Sequence, residues 1–190
     1  MSFTIPNLLS LFRMGLVPFF IIAVLEGQAT RALLLFAAAG VTDALDGAIA
    51  RFFNQRSALG AYLDPIADKL LLTSAYVVLA FPGVGEVMRI PAWVSVLVIA
   101  RDVLLVTVAL ILYLALGVKR FPPSLLSKLT TLTQVAAVVL VLASGSFPEV
   151  EEVATGVVYL AAGLTIASGL DYVLRSNRLV GDKTGEKSAG

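Results

Sequence analysis

The sequence predicts an all-α integral membrane protein, a six-transmembrane-helix bundle with both termini cytoplasmic. Three observations lead there. Hydrophobic residues make up 58% of the 190-residue chain and charged residues 14%, whereas a soluble domain averages about 45–50% apolar and about 25% charged. Six apolar stretches, each close to the roughly 20 residues that cross a bilayer, follow one another along the chain. The cations between them collect on one side of the implied membrane.

The stretches run over residues 8–25, 32–53, 61–81, 92–116, 125–143 and 154–174. Turn chemistry separates them: Glu26-Gly27, Pro82-Gly83-Val84-Gly85, Pro122-Pro123 and Gly145-Ser146-Phe147-Pro148. The first carries Leu8, Leu9, Leu11 and Phe12 beside Arg13. It reads as an ordinary span with a snorkelling arginine, or as a segment lying partly in the interface. The opening residues MSFTIPNLLS have no basic leader and no small-residue cleavage site, so no removable signal peptide is expected. Residues 1–175 form the expected membrane domain, and the polar tail 176–190 is expected to be disordered.

With six spans the termini share a side. Arg13, Arg51, Arg56, Lys69, Lys119, Arg120, Lys128, Arg175, Arg178, Lys183 and Lys187 fall on it, and only Arg31 and Arg89 lie near the other. The positive-inside rule makes that side cytoplasmic. The chain has no cysteine and no histidine. Disulfides, thiolate metal sites and histidine-based acid–base chemistry are therefore excluded, and any such work falls to carboxylates. No basic, aromatic-rich pattern for nucleic acid is present.

Four carboxylates stand where an apolar helix should have none. The second span ends Thr42-Asp43-Ala44-Leu45-Asp46-Gly47-Ala48-Ile49-Ala50-Arg51, and the third opens Gly60-Ala61-Tyr62-Leu63-Asp64-Pro65-Ile66-Ala67-Asp68-Lys69. Each costs about 2.5–3.5 kcal/mol at a helix centre and less near an interface. Asp43 and Asp46 are spaced i, i+3, and Asp64 and Asp68 i, i+4, so each pair shares a face. The short connection between the spans implies antiparallel neighbours with the two pairs facing. Such an oxygen nest suits Mg²⁺ or Mn²⁺, and two ions suit phosphoryl-transfer chemistry. The plainer reading makes the aspartates helix caps or ion-pair partners of Arg51, Arg56 and Lys69. A cation transporter is a third reading, although carriers place their sites nearer the bilayer midplane.

The run Asp43-x2-Asp46-Gly47-x2-Ala50-Arg51-x8-Gly60-x3-Asp64-x3-Asp68 resembles the signature of the CDP-alcohol phosphotransferases at every fixed position. The resemblance implies that Asp43, Asp46 and Asp64 bind metal and that Asp68 both touches metal and acts as general base. It implies that Gly47, Arg51, Ser57 and Gly60 meet the CDP moiety, with Pro6 and Asn7 near the cytidine. Gly47 admits a pyrophosphate close to the backbone, and Arg51 offers a charged donor fork. The implied donor is CDP-diacylglycerol, the implied site faces the cytoplasm of a bacterial inner membrane, and the implied assembly is a homodimer.

The acceptor depends on the second half. Arg101 inside the fourth span needs an anion, and Asp102 points about 100° away on the helix, a poor lone partner. A substrate phosphate is the expected partner, with Lys128 reaching the same anion. The alternative pairs Arg101 with a site aspartate or a backbone carbonyl. Asn54 to Gly60, Arg101-Asp102-Val103 and Ser127-Lys128 with Thr130-Thr131 resemble CMP-forming cardiolipin synthases. The N-terminal IPNLLSLFR and Ser168-Gly169-Leu170-Asp171-Tyr172 resemble phosphatidylglycerophosphate synthases. No second cation follows Arg101 through Val106, Ala109, Leu110 and Leu112. That favours phosphatidylglycerol as acceptor over glycerol 3-phosphate.

Overall fold

Six apolar runs become six helices: α1 (Ile5–Leu25), α2 (Ala29–Phe52), α3 (Gly60–Ala80), α4 (Ala92–Leu116), α5 (Leu125–Ser144) and α6 (Glu151–Ser188). The computed structural model describes the backbone of residues 5–52, 60–81, 89–116 and 124–188, and the side chains of 8–45, 66–81, 89–112, 114 and 124–176. Among the described residues there is no strand, and a single 3₁₀ turn, Pro148–Val150, precedes α6. The connections at Pro82–Gly85 and Pro122-Pro123 lie outside the described residues.

Four of the helices are long and apolar enough to cross a membrane among the described residues: Leu8–Leu25, Ala92–Leu112, Leu125–Ser144 and Pro148–Ser176. Large apolar side chains cover much of the surface, while several polar ones lie inside. Leu34, Val96, Val106, Leu114 and Leu132 are each more than 60% exposed, while Ser95, Arg101, Thr130, Gln134, Thr165 and Ser168 are buried. Hydrocarbon outside and polar groups inside is the arrangement that lipid selects.

The chain forms two compact units, Met1–Ala92 with Val138–Thr155 and Trp93–Ala137 with Gly156–Gly190. In the first, α1 packs along both α2 and α3. The ends at which α2 and α3 are expected to face each other, 46–52 and 60–65, have their side chains outside the described residues. Small residues let α1 and α2 approach: Ala23, Ala32 and Ala39 are fully buried. Phe20, also fully buried, meets Phe36 with ring centroids 5.7 Å apart.

The α1–α2 turn is a Schellman cap. Gly27 adopts φ 71°, Gln28 N–H donates to the Ala23 carbonyl at 2.9 Å and Gly27 N–H to that of Val24 at 3.0 Å. The left-handed conformation is what calls for glycine there. Thr30 and Ser146 hydroxyls, 2.7 Å apart, tie the start of α2 to the turn after α5.

In the second unit the interhelical contacts are polar. Gln134 Nε2 donates to Thr165 Oγ1 at 3.0 Å, and Thr130 Oγ1 to the Leu164 carbonyl at 3.2 Å. Trp93 and Tyr159 stack at 6.1 Å. Helix α6 continues to Ser188, whereas a disordered tail is expected from residue 176. Extending an existing helix costs no new nucleus, and the tail contains no proline to stop it.

Phe20→Ala should destabilise the protein by about 2–4 kcal/mol in thermal unfolding of the detergent-solubilised chain. Phe19→Ala, at a position 57% exposed, should cost less than about 1 kcal/mol.

Candidate active site

The first unit gathers charge around α1. Arg13 sits eight residues into that helix with its residue surface fully buried. Its Nη1 donates to Asp43 Oδ1 of α2 at 2.8 Å and also to Asp68 Oδ1 of α3. The Arg13 side chain is 1% exposed, and those of Asp43 and Asp68 are 45% and 50% exposed. The cation thus holds both carboxylates from the protein side, while about half of each carboxylate surface stays open.

Arg13 does not snorkel, contrary to expectation. A guanidinium in an apolar helix must either reach water or find anions. Two carboxylates within reach decide the matter for burial. Arg13 is the functional candidate that the sequence reading passes over. The available signal was a permanent charge well inside the first span, between Phe12 and Met14.

Of the expected site residues, the structure brings Asp43 and Asp68 together. Asp46, Gly47 and Arg51 continue α2, Gly60 opens α3, Asp64 lies in α3, and Pro6 and Asn7 lie in the first turn of α1. Their side chains lie outside the described residues, as does Ser57 altogether. Among the described residues no group of three or more candidate metal ligands is present. The donors fit a divalent ion nevertheless. Carboxylates from two helices converge on one cationic nitrogen, and oxygen-only donors are what Mg²⁺ and Mn²⁺ prefer.

The second unit carries a separate polar cluster. Arg101, 6% exposed, donates from Nη1 to Asp102 Oδ1 at 2.9 Å. Nη2 donates to Ser127 Oγ and Ser168 Oγ, each at 2.6 Å, and Nε to Ser168 Oγ at 3.2 Å. Its observed partners are therefore Asp102 and two serines, in place of a site aspartate or a backbone carbonyl. The 100° offset between adjacent residues is overcome by the length of the arginine side chain, which curls back to its neighbour. Ser168 entered the sequence reading only as part of a resemblance, and it is the residue that ties α6 to Arg101. Lys128 is exposed and lines a groove of about 440 Å³ with Ser127, Thr131, Leu132 and Val135. Ser124 caps α5 by accepting the Ser127 N–H at 3.1 Å, as a residue preceding a helix should.

Residues 3–167 match the CDP-alcohol phosphatidyltransferase family. The chain is 36% identical over 186 residues to the cardiolipin synthase (CMP-forming) of Homo sapiens, covering 89% of this chain and 60% of that protein. It is 38% identical over 181 residues to a probable phosphatidylglycerophosphate synthase of Mycobacterium tuberculosis (strain CDC 1551 / Oshkosh), covering 92% and 82% respectively. It is 36% identical over 131 residues to a putative cardiolipin synthase of Mycobacterium bovis, covering 67% and 59%. The chain thus spans about 60% of the length of the human relative that it matches.

Ser168→Ala removes a buried acceptor from a charged donor. It should lower stability by about 1–3 kcal/mol. A Ser127→Ala and Ser168→Ala double-mutant cycle, followed by thermal unfolding, should show the two serines coupled through Arg101.

Proposed function

The chain belongs to the CDP-alcohol phosphatidyltransferase family, and from that premise we propose that it moves the phosphatidyl group of CDP-diacylglycerol onto a glycerol-type alcohol and releases CMP. The observation that carries the reading is the convergence of Asp43 and Asp68 from separate helices, inside the family signature, on one cationic nitrogen. A transporter or a purely structural protein has no evident need for that complete signature.

In the proposed reaction Asp68 accepts the proton of the acceptor hydroxyl. The acceptor oxygen bonds to the lipid-side phosphorus, and the bond from that phosphorus to the bridging oxygen of CMP breaks, so CMP departs with the electron pair. Asp43, Asp46, Asp64 and Asp68 would hold Mg²⁺ or Mn²⁺, two ions in all, which when bound neutralise charge on the diphosphate. Gly47, Arg51, Ser57, Gly60, Pro6 and Asn7 are assigned to the CDP moiety. Asp68 is half exposed, so an incoming hydroxyl has access to it.

Phosphatidylglycerol is the proposed acceptor, with Arg101 and Lys128 receiving its phosphate. Arg101, Asp102 and Lys128 together carry a formal charge of +1. That matches a phosphodiester better than the two charges of a phosphomonoester. The second reading is glycerol 3-phosphate, favoured by resemblance to the mycobacterial protein over most of its length. All six helices are proposed to span a bacterial inner membrane, with the termini and the acidic site cytoplasmic and the protein a homodimer.

Purified protein in lipid–detergent micelles should release CMP from CDP-diacylglycerol only with divalent metal, and faster with phosphatidylglycerol than with glycerol 3-phosphate. Product identification by mass spectrometry assigns the acceptor. No CMP release with either alcohol would remove the proposal. Asp68→Asn should lose about 10²–10⁴-fold in rate while remaining folded by size-exclusion chromatography.

A further inference from the structure

Arg13 is not used by the reaction as proposed, yet it contacts two carboxylates of the acidic site. It lies on an apolar helix with its surface fully buried, so it cannot withdraw from the carboxylates without stranding a charge in hydrocarbon. One of its nitrogens already contacts both Asp43 and Asp68, two of the residues assigned to metal.

We propose that Arg13 is a positioning residue and the permanent counter-ion of this site: it joins α2 to α3 through α1 when metal is absent, and its charge holds down the affinity for divalent cations. The inference rests on the metal-binding reading given above. The sign follows from electrostatics. A fixed positive charge within ion-pair distance of two ligands repels an incoming cation and shares its ligand oxygens, so removing that charge tightens metal binding. A residue that merely supported the fold would act in the opposite direction, because a loosened site binds metal less well.

The test is a Mn²⁺ titration of the full chain in detergent, with free Mn²⁺ followed by its electron paramagnetic resonance signal. Arg13→Gln should bind Mn²⁺ at least ten-fold more tightly than the wild type. Arg13→Lys keeps the charge and should stay within about three-fold of the wild type. Arg13→Met, neutral and with an unbranched stem for the same slot, must show the tightening if Arg13→Gln does not fold. Unchanged or weaker binding in the folded neutral variant overturns the proposal. Asp43→Asn separates this from failure of the underlying reading. If the wild type has no Mn²⁺ binding that Asp43→Asn weakens, the metal assignment itself falls and the inference falls with it.

Discussion

The ion pairs of Arg13 with Asp43 and Asp68 are the constraint around which the first unit is arranged. Each of the three groups is expensive in an apolar helix, and each becomes tolerable only through the others. Helix α1 therefore has to pack against both α2 and α3, with its arginine at the level of their aspartates. Removing one partner would leave uncompensated charge in a low-dielectric region, which is costlier than never having placed it there.

The second unit solves the same difficulty with one carboxylate and two hydroxyls. Arg101 is neutralised by its neighbour Asp102 and otherwise satisfied by hydroxyls of Ser127 and Ser168. Hydroxyls are small enough to sit at close helix contacts and still accept a charged hydrogen bond. Around these knots the apolar side chains face outward, Val106, Leu114 and Leu132 among them. Cohesion between these helices then comes from packing and polar contacts, since lipid supplies no hydrophobic drive for their association.

Apart from the end of α6, the helix bounds were legible in the sequence to within three residues, since span length and turn chemistry are one-dimensional signals. The start of α4 at Ala92 and of α5 at Leu125 and the glycine turn after Leu25 all follow from them. Of the four signature aspartates, Asp43 and Asp68 meet at Arg13, while the side chains of Asp46 and Asp64 lie outside the described residues. What the sequence hid was three-dimensional order. Nothing in the spacing of Asp43 and Asp68 says that an arginine of α1 meets both. Arg13 looked like one of many cations on the cytoplasmic side, because its depth in the bundle depends on what packs against it. Asp102 looked misdirected because a helical wheel tracks Cβ direction and ignores the reach of a long side chain. The helical course of α6 beyond Arg175 was missed for another reason: a polar composition says that a segment has nothing to bury, but not that a helix already running must stop.

The Gly27 turn has a consequence for how this protein can change over time. Arg13 and Asp43 lie at nearly equal chain separations from it on either side, each about 20 Å away along its helix. A tight turn of this kind leaves no slack, so the two helices measure out the position of the ion pair as the arms of a caliper do. A single inserted or deleted residue anywhere between Arg13 and the turn would rotate the arginine by about 100° around α1 and shift it about 1.5 Å along the axis. No neighbouring loop could absorb that error. Outside the buried contacts a substitution along these arms leaves the register of the ion pair intact, whereas a change of length does not.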